Sequence, residues 1–171
     1  MRKSTVFALA VTFLFLGGHT TWAQKYDDKE HAELAKALKG VKTSLEKGLS
    51  ASESQGKPIS GKFEVEDGKL QLSVYTMKGE KFSEVIVDHK TGKTAKTEAI
   101  TGGEDLSAAK AQSGAMAKAK VSLRNATEKA VKANKGFRAV SVTPSLKDGH
   151  PVAEITLVKG DEFKTASEKL D

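Results

Sequence analysis

Histidines and Ser-x-x-Lys spacings are the places where this chain could do chemistry. Past the first 23 residues the histidines are His31, His89 and His150. Asp27 and His31 are four apart, so a helix would set them on one face and could begin a weak metal site. Zinc needs three or four converging ligands, and the charged surroundings predict a solvated helix end instead. His89 and His150 fall in Asp/Gly-rich stretches that read as turns, where a polar residue is expected. Ser44-Leu45-Glu46-Lys47 and Ser107-Ala108-Ala109-Lys110 spell the S-x-x-K of certain serine acyl enzymes. Of its companion motifs only Lys90-Thr91-Gly92 is present, and a hairpin explains that tripeptide as well. No G-x-S-x-G, H-E-x-x-H or P-loop occurs. The chain has no cysteine, which excludes a thiol nucleophile, a Cys-ligated zinc and a lipid-bearing N-terminal cysteine. The expectation is a protein without catalytic residues, metal ligands or cofactor.

The elements that would position these residues begin after a leader. Met1-Arg2-Lys3 is basic, Val6 to Leu16 is an apolar run, Gly17-Gly18 breaks it, and small residues precede a cut after Ala23. That layout predicts a secretory signal peptide over 1–23, since the run is too short for a membrane span of about 20 residues. Loss of the leader removes Arg2 and Lys3 and takes the formal charge from +6 to +4. The remainder is expected to be periplasmic or secreted, in a bacterium, because a eukaryotic secreted module of this size would often carry disulfides.

A stretch used twice organises the rest. Asp67 to Phe82 reads DGKLQLSVYTMKGEKF and Asp148 to Phe163 reads DGHPVAEITLVKGDEF, with Asp, Gly, Lys, Gly and Phe coinciding at a spacing of 81. Before the first copy, Leu34, Leu38, Val41, Leu45 and Leu49 form one helical stripe that predicts a helix within Asp27 to Ser54, weakened by Gly40 and Gly48. Alternation then predicts strands over 61–66, 69–77 and 82–87, and a polar edge strand over 93–100. Asp67-Gly68 is a two-residue hairpin turn. Asp88 accepts from turn amides, and Gly92 supplies positive φ.

Thr101-Gly102-Gly103-Glu104 reads as a linker between units 24–100 and 105–171. The second helix carries Met116, Ala119, Leu123, Ala126 and Ala130 and aligns with the first at a spacing of 78. Strands follow from Ala139, with Asp148-Gly149 as the matching hairpin turn. The three extra residues implied by the two spacings are expected near Thr143 to Lys147. The fold class is therefore α+β: two repeats of one helix followed by a small antiparallel sheet, packed together.

Helix, Gly-Lys-Pro, strand, Asp-Gly, a strand with Tyr75, a Lys-Gly turn and then Val85-Ile86-Val87-Asp88-His89-Lys90-Thr91-Gly92-Lys93 resembles the PepSY (peptidase propeptide) domain. The first copy carries the Val-Asp-x-x-Thr-Gly hairpin, and the second ends before it. The resemblance implies a helix laid on an antiparallel sheet and a non-enzymatic, extracytoplasmic role in binding, with regulation or inhibition of an envelope protease as the leading case. It carries over no catalytic residue.

Surface composition suggests two partner classes. Tyr75 and Met77 lie on the side of their strand opposite Leu72 and Val74, and form the candidate contact patch for a protein. Lys110, Lys118, Lys120, Arg124, Lys129 and Lys132 stud the second helix, and could draw an anionic envelope polymer or surface. No aromatic residues interleave them for base stacking, so no specific nucleic acid is expected.

Overall fold

The computed structural model describes residues 21–171, and its elements run α1 (Thr21–Ala37), α2 (Leu45–Ser52), β1 (Lys57–Glu66), β2 (Lys69–Lys78), β3 (Lys81–Val87), β4 (Thr94–Ile100), α3 (Gly103–Lys118), α4 (Leu123–Ala133), β5 (Arg138–Lys147), β6 (His150–Lys159) and β7 (Glu162–Lys169). All but the last three residues of the expected leader lie outside the described residues. The fold is α+β: four helices and one seven-stranded antiparallel sheet in the order β4-β3-β2-β1-β5-β6-β7. No described helix is long and apolar enough to cross a membrane.

Each predicted helix is in fact two. Gly40 takes φ +87° and ends the first, and Ser44 then caps α2 by accepting from the Lys47 amide at 3.3 Å. A Ser N-cap satisfies one of the amides a helix start leaves unpaired. In the second case the chain leaves α3 at Ala119. The Lys120 and Val121 amides donate to the Leu170 carbonyl at 2.7 and 2.9 Å, and Ser122 caps α4. The apolar stripes survive both breaks: Leu38, Leu45, Leu49, Met116, Leu123, Ala126 and Ala130 are all buried. Helical spacing located the core side; it could not show that the chain bends along it.

The hairpins sit where the sequence placed them. Asp67 and Gly68 have φ +49° and +72°, and Asp148 and Gly149 have φ +52° and +81°. That is the positive-φ pair a two-residue turn between right-twisting strands requires. Asp88 Oδ1 accepts from the Lys90 and Thr91 amides at 2.9 and 2.7 Å and from the Thr91 hydroxyl at 3.0 Å. These bonds hold its carboxyl below the usual range, the Thr91 amide foremost. Gly92, at φ +74°, closes that turn by donating its amide to the Asp88 carbonyl at 2.7 Å.

Three boundaries differ from expectation. α3 starts at Gly103, inside the expected linker. The stretch Thr143 to Lys147 holds no insertion, because β5 pairs with β6 in unbroken register from Ser141 to Lys147. The additional length lies in α4, which has 11 residues against 8 in α2. After α4 come three strands, where β1 to β4 make four.

One side of the sheet carries the main core. Leu72, Val74, Val85, Val142, Ala153, Ile155 and Leu157 are fully buried there, and α2 and α4 pack over them and against each other. α2 lies so close that a Cβ at Gly48 would stand 2.5 Å from Leu72 Cδ2. The junction of the sheet is β1 against β5, with Gly61 opposite Val142 and Lys62 opposite Ser141. Arg138, on β5, ties this region to the α2 approach: its guanidinium donates to the Thr43 carbonyl at 3.0 Å and lies 5.5 Å from the centre of the Phe63 ring.

Candidate binding face

The second side of β1, β2 and β3 mixes polar and apolar residues where the first is mostly apolar, because side chains alternate across a strand. Its residues come from paired positions. Ser60 stands opposite Tyr75, Lys62 opposite Ser73, and Glu64 opposite Gln71. Ser73, Tyr75 and Met77 in turn stand opposite Ile86, Glu84 and Phe82 of β3. Gln71, Tyr75, Met77, Phe82, Glu84 and Ile86 are all half-buried, and Ser73 is buried.

α3 joins this side through side-chain hydrogen bonds. The Tyr75 hydroxyl donates to Asp105 Oδ1 at 2.8 Å, the Ser60 hydroxyl donates to Gln112 Oε1 at 2.8 Å, and the Ser113 hydroxyl points at the Met77 sulfur at 2.8 Å. The expected contact pair thus meets α3 through its polar atoms, and both side chains are half-buried. Beside it the Ser73 hydroxyl donates to the Glu84 carboxylate, and Lys62 Nζ stands 2.6 Å from Glu64 Oε2.

The electrostatics are local and acidic. Burial pushes the Tyr75 phenol well above its ordinary value; the hydrogen bond to Asp105 and the charges of Asp105, Glu84 and Glu64 add to the effect. It is a neutral donor at any physiological pH. Burial also raises the Glu84 carboxyl; the Ser73 hydrogen bond opposes this, and Glu64 reinforces it. Three carboxylates therefore gather around Tyr75 with Lys62 as the nearby cation, in a chain whose formal net charge is +6. This arrangement can accept hydrogen bonds and attract cations.

The serines and histidines singled out in the sequence lie as follows. Ser44 is the α2 cap, and the Ser107 hydroxyl donates to the Gly103 carbonyl at 3.3 Å. His31 stacks on the Phe163 ring at 4.1 Å between centres. His89 gives its carbonyl to the Thr43 amide, and His150 Nδ1 lies 2.6 Å from Asp171 Oδ2. Among the described residues, no three His, Asp or Glu side chains gather to hold a metal. The basic residues of α3 and α4 are exposed and dispersed. Lys129 pairs with Glu168 at 2.5 Å, Arg124 lies 3.9 Å from Glu128, and Lys118 donates to the Gly149 carbonyl at 3.3 Å.

Of this face, the sequence pointed only to Tyr75 and Met77. Glu84 did leave a signal, since it is the lone carboxylate in Phe82 to Val87 and takes the parity opposite to Val85 and Val87. Asp105 left none, because it arrives from beyond β4. No family model matches the chain, and no curated protein or solved structure matches it significantly.

Proposed function

We propose that this chain is a secreted or periplasmic, non-enzymatic binding module made of two PepSY-like units, which holds a protein partner and regulates it, an envelope protease being the leading candidate. The observation that carries this reading is the acidic, half-buried face around Tyr75, mounted on a continuous sheet. A rigid face with an aromatic centre and a charged rim is the usual make-up of an interaction surface. Its charge suits a partner surface bearing Lys or Arg.

Several features support two copies of one unit. The Asp-Gly turns share their φ signs, and the Lys-Gly turns match at φ +63° for Gly79 and +61° for Gly160. Register shifts fall between Pro58 and Ser60 in β1 and between Ala139 and Ser141 in β5, positions again 81 apart. Gly61 and Val142, also 81 apart, pair with each other at the β1–β5 junction. Copies related by a two-fold axis would meet at such a pair.

The test is affinity capture from the envelope extract of the source cells, at low and high salt. The wild type is expected to retain a protein, a peptidase in the leading case, through the high-salt wash. Glu64→Lys with Gln71→Lys is expected to lose it. Retention only of an anionic polymer released by salt would instead favour binding through the exposed lysines of α3 and α4, since such attraction is screened.

A further inference from the structure

Among the described strands, β4 is the most exposed, and its outer edge is open. β4 ends the sheet order, and Thr94 to Ala99 are all exposed. Its outward backbone amides and carbonyls face no strand, and it carries no proline. Such an edge is a template for another strand unless charge or a kink protects it. Here the protective lysine is offset within the strand, since Lys96 Nζ lies 2.8 Å from Glu98 Oε1.

We propose that β4 pairs with the β4 of a second copy, antiparallel, with Thr97 opposite Thr97, joining two sheets into one. The register follows from charge. A two-fold axis normal to the sheet must pass through a residue, so that facing side chains stay on the same side. With Thr97 on the axis, Lys96 faces Glu98 of the second copy twice. With Lys96 or Glu98 on the axis, like charges meet, which destabilises a cross-strand pair. The register shift of β4 against β3, beside Ala95, lies outside the central Lys96 to Glu98 segment. Glu98 also stands opposite Glu84 on β3, so the second copy's Lys96 brings a cation to a like-charge pair.

The other edge makes the contrast. β7 has a comparable spacing, with Lys164 and Glu168 flanking Ala166. Both are engaged at home, however: Lys164 Nζ lies 3.9 Å from the centre of the Phe137 ring, and Glu168 pairs with Lys129. On β4 the pair lies within the strand itself, so a second copy can offer the same Lys–Glu pairing across the edge. This inference does not depend on the sheet face described above.

Sedimentation velocity of residues 21–171, which carry every element described, tests it over micromolar to millimolar concentration at low salt. A monomer–dimer equilibrium is expected. Lys96→Glu alone and Glu98→Lys alone each set like charges opposite one another at two places, and each is expected to weaken the dimer about tenfold. An equimolar mixture of the two variants restores attraction at both places and is expected to recover the association. Thr97→Cys is expected to cross-link two copies under mild oxidation, because paired Cα atoms lie about 4.5–5.5 Å apart. A chain that stays monomeric, a dimer indifferent to either swap, or a mixture no tighter than its components overturns the proposal; so does addition of β4 to β7.

Discussion

α2 over β1 and α4 over β5 meet the same side of the sheet and divide their volume in opposite ways. Leu49 of α2 stands where α4, 78 residues on, has Thr127; Gly61 of β1 stands where β5, 81 residues on, has Val142. In the first region the helix brings bulk and the strand gives it up. A Cβ at Gly61 would lie 3.1 Å from Leu49 Cδ2 and 3.3 Å from Leu45 Cδ1. In the second, Val142 is fully buried, and Thr127 hides its hydroxyl by donating to the Leu123 carbonyl at 2.7 Å. The lesson is that bulk between a helix and this sheet can be supplied by either element.

The largest expected effect is at Leu49. Leu49→Ala leaves a cavity and should cost about 2–5 kcal/mol in denaturant unfolding. Thr127→Ala should cost about 1 kcal/mol, mainly the buried hydrogen bond. Equal losses would break the comparison. Next is Gly61→Val, which overfills the α2 side and should cost about 1–3 kcal/mol. Combined with Leu49→Thr, it copies the α4 arrangement. The double variant should then be more stable than the sum of the single changes by about 1 kcal/mol or more, and strict additivity would contradict the shared-volume account.

The turns should behave alike where the packing does not. Gly68 and Gly149 both have positive φ, and added Cβ atoms would meet nothing within 4 Å. Gly68→Ala and Gly149→Ala should each cost about 1–2 kcal/mol, from backbone conformation alone. The caps form a smaller matched pair: Ser44→Ala and Ser122→Ala should each cost about 1 kcal/mol.

Glu84 gives the smallest change and the one with a pH signature. Its folded-state pKa lies above the unfolded one, so the folded chain holds this proton more tightly. Stability from this group therefore falls as pH rises from the ordinary carboxylate range through the raised value, and is level above it. Glu84→Gln should raise Tm at neutral pH, with the gain vanishing below the ordinary carboxylate range. A gain independent of pH would remove the buried charge as its cause.

How much of this was legible depended on the range of the forces involved. Asp67-Gly68, Asp148-Gly149 and Asp88 to Gly92 were readable because turn chemistry is local. The strands were readable because alternation reports burial directly. The weak point at Gly40 was readable, though not the full break, since the apolar spacing continues through it; the break at Ala119 was not, since it depends on Leu170, some fifty residues away. The face around Tyr75 was half readable: strand parity places Tyr75 and Met77 opposite the core, but Asp105, Gln112 and Ser113 reach it only through the packing of α3. The β1–β5 junction was hidden for the same reason.

Carboxyl and amine footprinting of the captured complex by mass spectrometry tests the central claim most directly, because Glu64 and Lys62 lie on the sheet face while Glu128 and Lys132 lie on α4. Labelling of Glu64 and Lys62 should fall when the partner is bound, with Glu128 and Lys132 unchanged. Protection of Glu128 and Lys132 with Glu64 and Lys62 still labelled would place the partner on the helices and contradict the assignment of the sheet as the working surface.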